Sequence, residues 1–286
     1  MAITEALGDE RTVEVPGGAI TYRESGEGPP IVFLHGLIAN GDHWRKVAPP
    51  LAARGFRCIV PDLPLGAHRM PMEEDADLSP GGQARIVEAF LEALDLSNVT
   101  LVGNDTGGAI AQIVITQDPA RIGKLVLAPT DAFDVFPPAV FKVLVALSRM
   151  PGAVWLTAQT LRFRPLRRTP IAFGWLSKRP IPREISDAYL MPVQTNARIR
   201  RDAAKALSSL SPRYTQEAAE RFGAFDRPVL LAWATEDRVF PFEWAKRLET
   251  LFPNARLEPI EDSYSFIPED QPERLVELIS GFAGEA

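Results

Sequence analysis

The stretch LVGNDTGGAIAQ, residues 101–112, sets an aspartate, Asp105, midway between Gly103 and Gly107. An apolar run ends at Gly103 and a helical pattern begins beyond Asp105. A carboxylate on such a strand-to-helix turn can serve as nucleophile or base. Glycines on either side remove side chains where the two backbones crowd together. The N–H groups and positive dipole end of the following helix favour the charged form. The spacing is that of a G-x-nucleophile-x-G elbow with aspartate at its centre. Simple capping of the helix by Asp105 is the competing reading.

The elements needed to carry this turn are visible on both sides of it. RTVEV and AITYRES flank PGG and predict a hairpin. IVFLHG, FRCIVPD, VTLVG, GKLVLAP, RPVLLAW and ARLEPI predict buried strands, separated by helical patterns. Ser79 is a predicted N-cap with Pro80 at the first helical position, followed by Ile86, Val87, Phe90, Leu91 and Leu94 on one face. Near-continuous apolar strands alternating with helices predict an α/β fold with a mostly parallel sheet covered on both faces.

The rhythm stops after Asp131. Residues 132–221 predict helices and loops and carry 15 Lys and Arg against 6 Asp and Glu, a net of +9; the remainder of the chain carries -15. The expected organisation is a core of 1–131 and 222–286, with 132–221 as a helical cap (lid) over the C-terminal edge of the sheet, where open α/β folds bind ligands. The basic residues predict either a solvated face or a rim that recruits an anionic small molecule.

Composition narrows the function classes. A net charge of -6 over 286 residues argues against a nucleic-acid partner. The single cysteine, Cys58, excludes a disulfide framework within one chain. No basic leader precedes an apolar segment, and the most apolar stretch is interrupted by Lys142, Arg149 and Pro151, so a cytoplasmic chain with no membrane partner is expected. No metal-ligand cluster or phosphate-binding glycine loop is visible, so no cofactor is expected.

FLHG at 33–36, VPDLP at 60–64, GNDTG at 103–107, ATEDRVFP at 234–241 and FIPEDQP at 266–272 resemble the α/β-hydrolase superfamily. Within it the chain looks most like the aspartate-nucleophile branch of haloalkane dehalogenases and epoxide hydrolases. The resemblance implies Asp105 as nucleophile and the backbone N–H groups of Leu37 and Thr106 as oxyanion hole. It implies Asp237 as the triad acid, with Asp131 as the alternative acid. His35 in the HG turn and Asn104 beside the nucleophile fall on the binding side of the site.

One position breaks the pattern. The branch has a histidine where SFIPEDQP places Ser265, and the last histidine in the chain is His68. In such enzymes the carboxylate forms an ester with carbon and the histidine activates the water that cleaves it. A serine hydroxyl is not basic at neutral pH. His68, in the loop after VPDLP, is read either as a surface or loop-stabilising residue or as a substitute base; His43, beside Trp44, is expected to pack or cap. Two further departures concern the substrate. Leu37 and Thr106 stand where dehalogenases place side-chain N–H donors for halide. The segment HGLIAN lacks the proline of epoxide hydrolases, whose paired cap tyrosines could correspond only to Tyr189 and Tyr214. The expected function is an atypical hydrolase acting on a small, largely apolar molecule through Asp105. The alternatives are a non-hydrolytic enzyme (lyase, isomerase or cyclase) and a ligand-binding protein with a disarmed site.

Overall fold

The computed structural model describes residues 5–285. The apolar runs form eight strands: β1 (Asp9–Val15), β2 (Gly18–Ser25), β3 (Pro30–Leu34), β4 (Arg57–Pro61), β5 (Val99–Gly103), β6 (Ile122–Leu127), β7 (Val229–Ala234) and β8 (Ala255–Ile260). They make one sheet in the order β1-β2-β4-β3-β5-β6-β7-β8. β1 and β2 are the expected hairpin, β2 runs antiparallel to β4, and the other pairs are parallel.

Alternation along each strand divides the core into two layers. Val32 and Leu34 point to one face, with Leu101, Leu125 and Leu231. Ile31 and Phe33 point to the other, with Val102, Val126 and Leu230. Helices α2 (Pro80–Ala93) and α3 (Thr106–Gln117) cover the first face through residues such as Ile86, Phe90, Ile110 and Val114. Helices α1 (Ala48–Ala52) and α11 (Pro272–Gly284) cover the second through Leu51, Leu275 and Ile279. Ser79 caps α2 as expected, accepting from the Gly82 N–H at 3.2 Å. This is the α/β-hydrolase architecture.

Between β6 and β7 the described chain adds helices and no strand of the sheet: α4 (Lys142–Ser148), α5 (Ala153–Thr160), α6 (Arg183–Thr195), α7 (Ala197–Ser208) and α8 (Pro212–Ala219). α9 (Phe242–Leu251) and the short α10 (Ile267–Asp270) complete the chain. Among the described residues no helix is long and apolar enough to cross a membrane.

Strand register aligns the loops that matter. Leu34 pairs with Gly103, Gly103 with Leu127, and Leu127 with Leu231. The loops after β3, β5, β6 and β7 therefore leave the same edge of the sheet at one level. Those loops carry Leu37, Asp105, Asp131 and Asp237.

Candidate active site

Asp105 occupies a backbone conformation that side-chain-bearing residues rarely adopt, φ 56° and ψ -137°. Such a residue costs on the order of 1–3 kcal/mol and persists only when its surroundings fix it. Here the Asp105 N–H donates to Pro129 O at 2.8 Å, and its carbonyl accepts from Thr130 Oγ1 at 2.6 Å. Glycine is required around it. A Cβ on Gly107 would lie 2.3 Å from Leu34 O, and one on Gly36 would lie 2.6 Å from Asp105 Cγ. The turn thus presses the carboxylate against the loop after β3. Asp105 Oδ1 accepts from the Thr106 N–H and, at 3.0 Å, from Thr106 Oγ1. Burial raises the Asp105 pKa to about 6, opposed by hydrogen bonds from Thr106 and from the Leu37 N–H.

The carboxylate faces a cavity of about 200 Å³. Core residues Leu37, Thr106, Asp131 and Phe240 line it from below, and Leu144, Leu161, Leu190 and Leu207 of the helical segment line it from above. Its ionisable lining is Asp105 and Asp131; no Lys or Arg contributes. An anionic substrate, one of the two readings of the basic segment, finds no cation in the cavity. Several of the basic residues are paired elsewhere: Arg167 with Asp187 at 2.6 Å, Arg179 with Asp262 at 2.7 Å and Arg201 with Asp202 at 2.8 Å.

Asp131 is buried and its Oδ1 has no hydrogen-bond partner. Burial, with the neighbouring Asp105 charge, pushes its pKa well above the usual carboxylate range. Two carboxyls in one largely apolar pocket cannot both ionise cheaply, and the directions of the two shifts favour the proton on Asp131.

Asp237 sits where the resemblance placed the triad acid, and Ser265 sits against it. Asp237 Oδ1 accepts from Val239 N at 2.7 Å, Phe240 N at 2.8 Å and Ser265 Oγ at 2.8 Å. Its Oδ2 is buried without a partner. Burial raises its pKa to about 7, against these hydrogen bonds. Neither Asp237 nor Ser265 lines the cavity.

Three expectations are corrected. His68 does not reach the cavity as a substitute base. Its Nδ1 accepts from the Gly66 N–H at 3.2 Å, so the proton lies on Nε2, which faces Asp202 Oδ2 of α7 at 3.2 Å. Both nitrogens are used, and the ring fastens the helical segment to the core. His35 is buried behind the site, with Nδ1–H donating to Gly36 O at 2.9 Å and Nε2 accepting from the Leu63 N–H at 2.9 Å. It holds the turn before Leu37 and touches no ligand space. Asn104 also turns away from the cavity: its Nδ2 donates to Pro129 O at 2.8 Å and Ser265 O at 3.0 Å. Its Oδ1 receives His43 Nε2–H at 2.8 Å. Asn104 and His43 are therefore positioning residues that tie the loop of Ser265 to the elbow. Tyr189 and Tyr214 do not line the cavity, which removes the paired-tyrosine arrangement. Among the described residues no group of His, Cys, Asp and Glu could hold a metal ion.

Comparison with known proteins agrees with this fold. A haloalkane dehalogenase 2 of Mycobacterium tuberculosis is 28% identical, over 95% of this chain and 93% of its own. A cis-3-alkyl-4-alkyloxetan-2-one decarboxylase of Shewanella oneidensis is 26% identical, over 94% of this chain and 86% of its own. The crystal structure of the haloalkane dehalogenase DatA from Agrobacterium tumefaciens superposes with a TM-score of 0.81 at 25% identity, covering 98% of this chain and 99% of that one. The family model described as alpha/beta hydrolase fold matches residues 29–272. With that match spanning the elbow, the aligned loops and the motif around Ser265, the chain belongs to the α/β-hydrolase fold family.

Proposed function

We propose that this chain is an enzyme that opens a carbon–oxygen bond in a small, uncharged, largely apolar molecule, with Asp105 as nucleophile and Asp131 as proton donor. The observation that carries it is the pairing of these two carboxyls, one cradled by N–H donors and one with a buried oxygen that has no partner, in a largely apolar cavity roofed by side chains from the segment between β6 and β7. Asp105 attacks the carbon, the carbon–oxygen bond breaks, and the Asp131 proton passes to the departing oxygen. An Asp105 ester and an Asp131 carboxylate result. Asp131 is then the base for the second step: it takes a proton from water while the hydroxide adds to the ester carbonyl. The Leu37 and Thr106 N–H groups form the oxyanion hole for that addition. Collapse expels the alkoxide, which takes the proton of the new carboxyl group. Asp105 returns as carboxylate and Asp131 as acid, so one proton donor serves both steps without an imidazole.

This reading favours oxygen over halide as leaving group, since oxygen benefits from a proton and Leu37 and Thr106 supply no side-chain N–H for halide. Strained cyclic ethers and lactones are the substrate class. A second reading, release of product without water, is favoured by Ser265 in the place of the water-activating imidazole and by the likeness to a decarboxylase. Assays of terminal epoxides and β-lactones in isotopically labelled water separate the two: label in the product marks hydrolysis, and its absence marks the water-free route. Asp105→Asn turning over as fast as the parent chain would remove both.

A further inference from the structure

The large apolar side chains left exposed are concentrated in one part of the molecule. Val143, Leu147, Trp155, Leu156, Phe163 and Ile171 are all exposed, Val143 at 69% and Phe163 at 65%. All belong to α4, α5 and the turns that follow them, in the segment between β6 and β7. Elsewhere on the described surface the exposed large apolar side chains are Met70 and, on α6, Met191. Isolated exposed apolar residues need no explanation, but a concentration of this kind marks an interaction face.

The same segment carries cations that no carboxylate neutralises. Lys142, Arg149, Arg162 and Arg168 are exposed and form no ion pair among the described residues. Arg149 and Trp155 also line a surface cleft of about 350 Å³ together with Arg200 and Arg201. Residues 132–221 are +9 overall, whereas the core is strongly acidic. Leu166 and Ile171 both line the cavity above Asp105 and are exposed to solvent, so the cavity opens within this face.

We infer that this face lies on an anionic lipid surface. Apolar side chains among unpaired guanidinium groups match a bilayer interface: the former enter the headgroup–acyl boundary and the latter meet the negative surface potential. The acidic core is held away from the membrane by the same field. Two copies meeting through this face would bring like charges together, which disfavours a self-association role. The arrangement places the cavity mouth where an apolar molecule dissolved in lipid enters without crossing water. Lying on a membrane requires no spanning helix, and it revises the expectation of no membrane partner.

The test is vesicle cosedimentation of the full chain, which needs no turnover and so stands apart from the role of Asp105. Phosphatidylglycerol-containing vesicles are expected to bind the chain at least about tenfold more tightly than pure phosphatidylcholine vesicles, with binding weakening as salt is raised. A triple variant, Val143→Ser with Leu156→Ser and Phe163→Ser, none of which lines the cavity, should lose that binding. Arg162→Glu with Arg168→Glu should abolish the preference for anionic lipid. Circular dichroism verifies that both variants remain folded; if the triple variant unfolds, a blue shift of Trp155 fluorescence on the parent chain, absent in Trp155→Tyr, gives the same reading. A chain that stays in the supernatant with anionic vesicles at low salt, or binds both lipids equally, overturns the inference. So does a dimer in light scattering that the triple variant converts to monomer.

Discussion

Ser265 Oγ donates to Asp237 Oδ1 at 2.8 Å; on the proposed reading this pair is the orienting half of a hydrolase triad without its imidazole. The acid keeps two backbone donors and the serine keeps its loop. On that reading a short hydroxyl stands where a ring would extend toward Asp105. The change removes reach and basicity while retaining the fold of both loops.

Restoring the ring should restore imidazole-driven water activation. In Ser265→His, the new Nδ1–H would donate to Asp237 and Nε2 would face the elbow. Hydrolysis of an Asp105 ester is expected to rise by about 10²–10⁴-fold, the usual contribution of a positioned general base. Ser265 is fully buried, so the larger side chain should cost about 1–3 kcal/mol in stability. Single-turnover kinetics and urea denaturation measure the two effects; a folded variant with parental hydrolysis would show that the loop no longer aims at Asp105.

The unpaired Asp237 charge predicts a pH-dependent stability gain on neutralisation. Its folded pKa is about 7 against an ordinary value of 3.8. A raised carboxyl binds its proton more tightly in the folded state. Its burial penalty is therefore absent at low pH, grows as pH rises from about 4 to 7, and is fully present above 7. Asp237→Asn keeps an oxygen for the Val239, Phe240 and Ser265 donors and removes the charge. At pH 8 it should be more stable than the parent by on the order of 2–4 kcal/mol, and at pH 4 the difference should vanish. Equal stability at pH 8 would mean that the Asp237 carboxylate is solvated in a way the structure does not show.

Activity should follow a bell-shaped pH profile. The ascending limb reports Asp105, which must be ionised and is held near 6 by burial. The descending limb reports Asp131, which must carry a proton and titrates well above the usual carboxylate range. The two act as a coupled pair, so the limbs describe the pair and not either residue alone. Asp131→Asn should lower kcat/KM by about 10²-fold or more and erase the descending limb while leaving the ascending one. A profile in which Asp131→Asn keeps both limbs would assign the alkaline group elsewhere.

The frame of the molecule was legible because its determinants are local. Alternating Val, Ile and Leu define strand faces, Ser79–Pro80 starts a helix, and Gly103 and Gly107 give the elbow away by spacing alone. FIPEDQP was legible as a motif because its acids are structural. Glu269 forms a bidentate pair with Arg45, and Asp270 accepts from the N–H groups of Lys178, Arg179 and Tyr264. What escaped the sequence depends on distant partners. His68 stands 134 residues from the Asp202 that occupies it, and the direction of Asn104 is decided by carbonyls of two other loops. The apolar lining from Leu144 and Leu161 was hidden because α4 and α5 are apolar on more than one face.

Asn104 offers the sharpest separation of positioning from binding. It makes three buried hydrogen bonds, to Pro129 O, Ser265 O and His43 Nε2, and lines no part of the cavity. Asn104→Leu preserves volume and removes all three. Leaving buried partners unsatisfied costs about 1–3 kcal/mol each when nothing relaxes; with water reaching some of them, a total loss of about 2–4 kcal/mol is expected in urea denaturation. Because the elbow takes its backbone anchor from Pro129 and sits next to Asn104, the carboxylate should lose its alignment with the Leu37 and Thr106 donors. The cavity wall stays intact, so kcat should fall by about tenfold or more while KM moves little. Asn104→Asp, which presents oxygen to two carbonyls, should fold less stably still. A large rise in KM at unchanged kcat would place Asn104 in contact with substrate, contrary to the direction its side chain takes here.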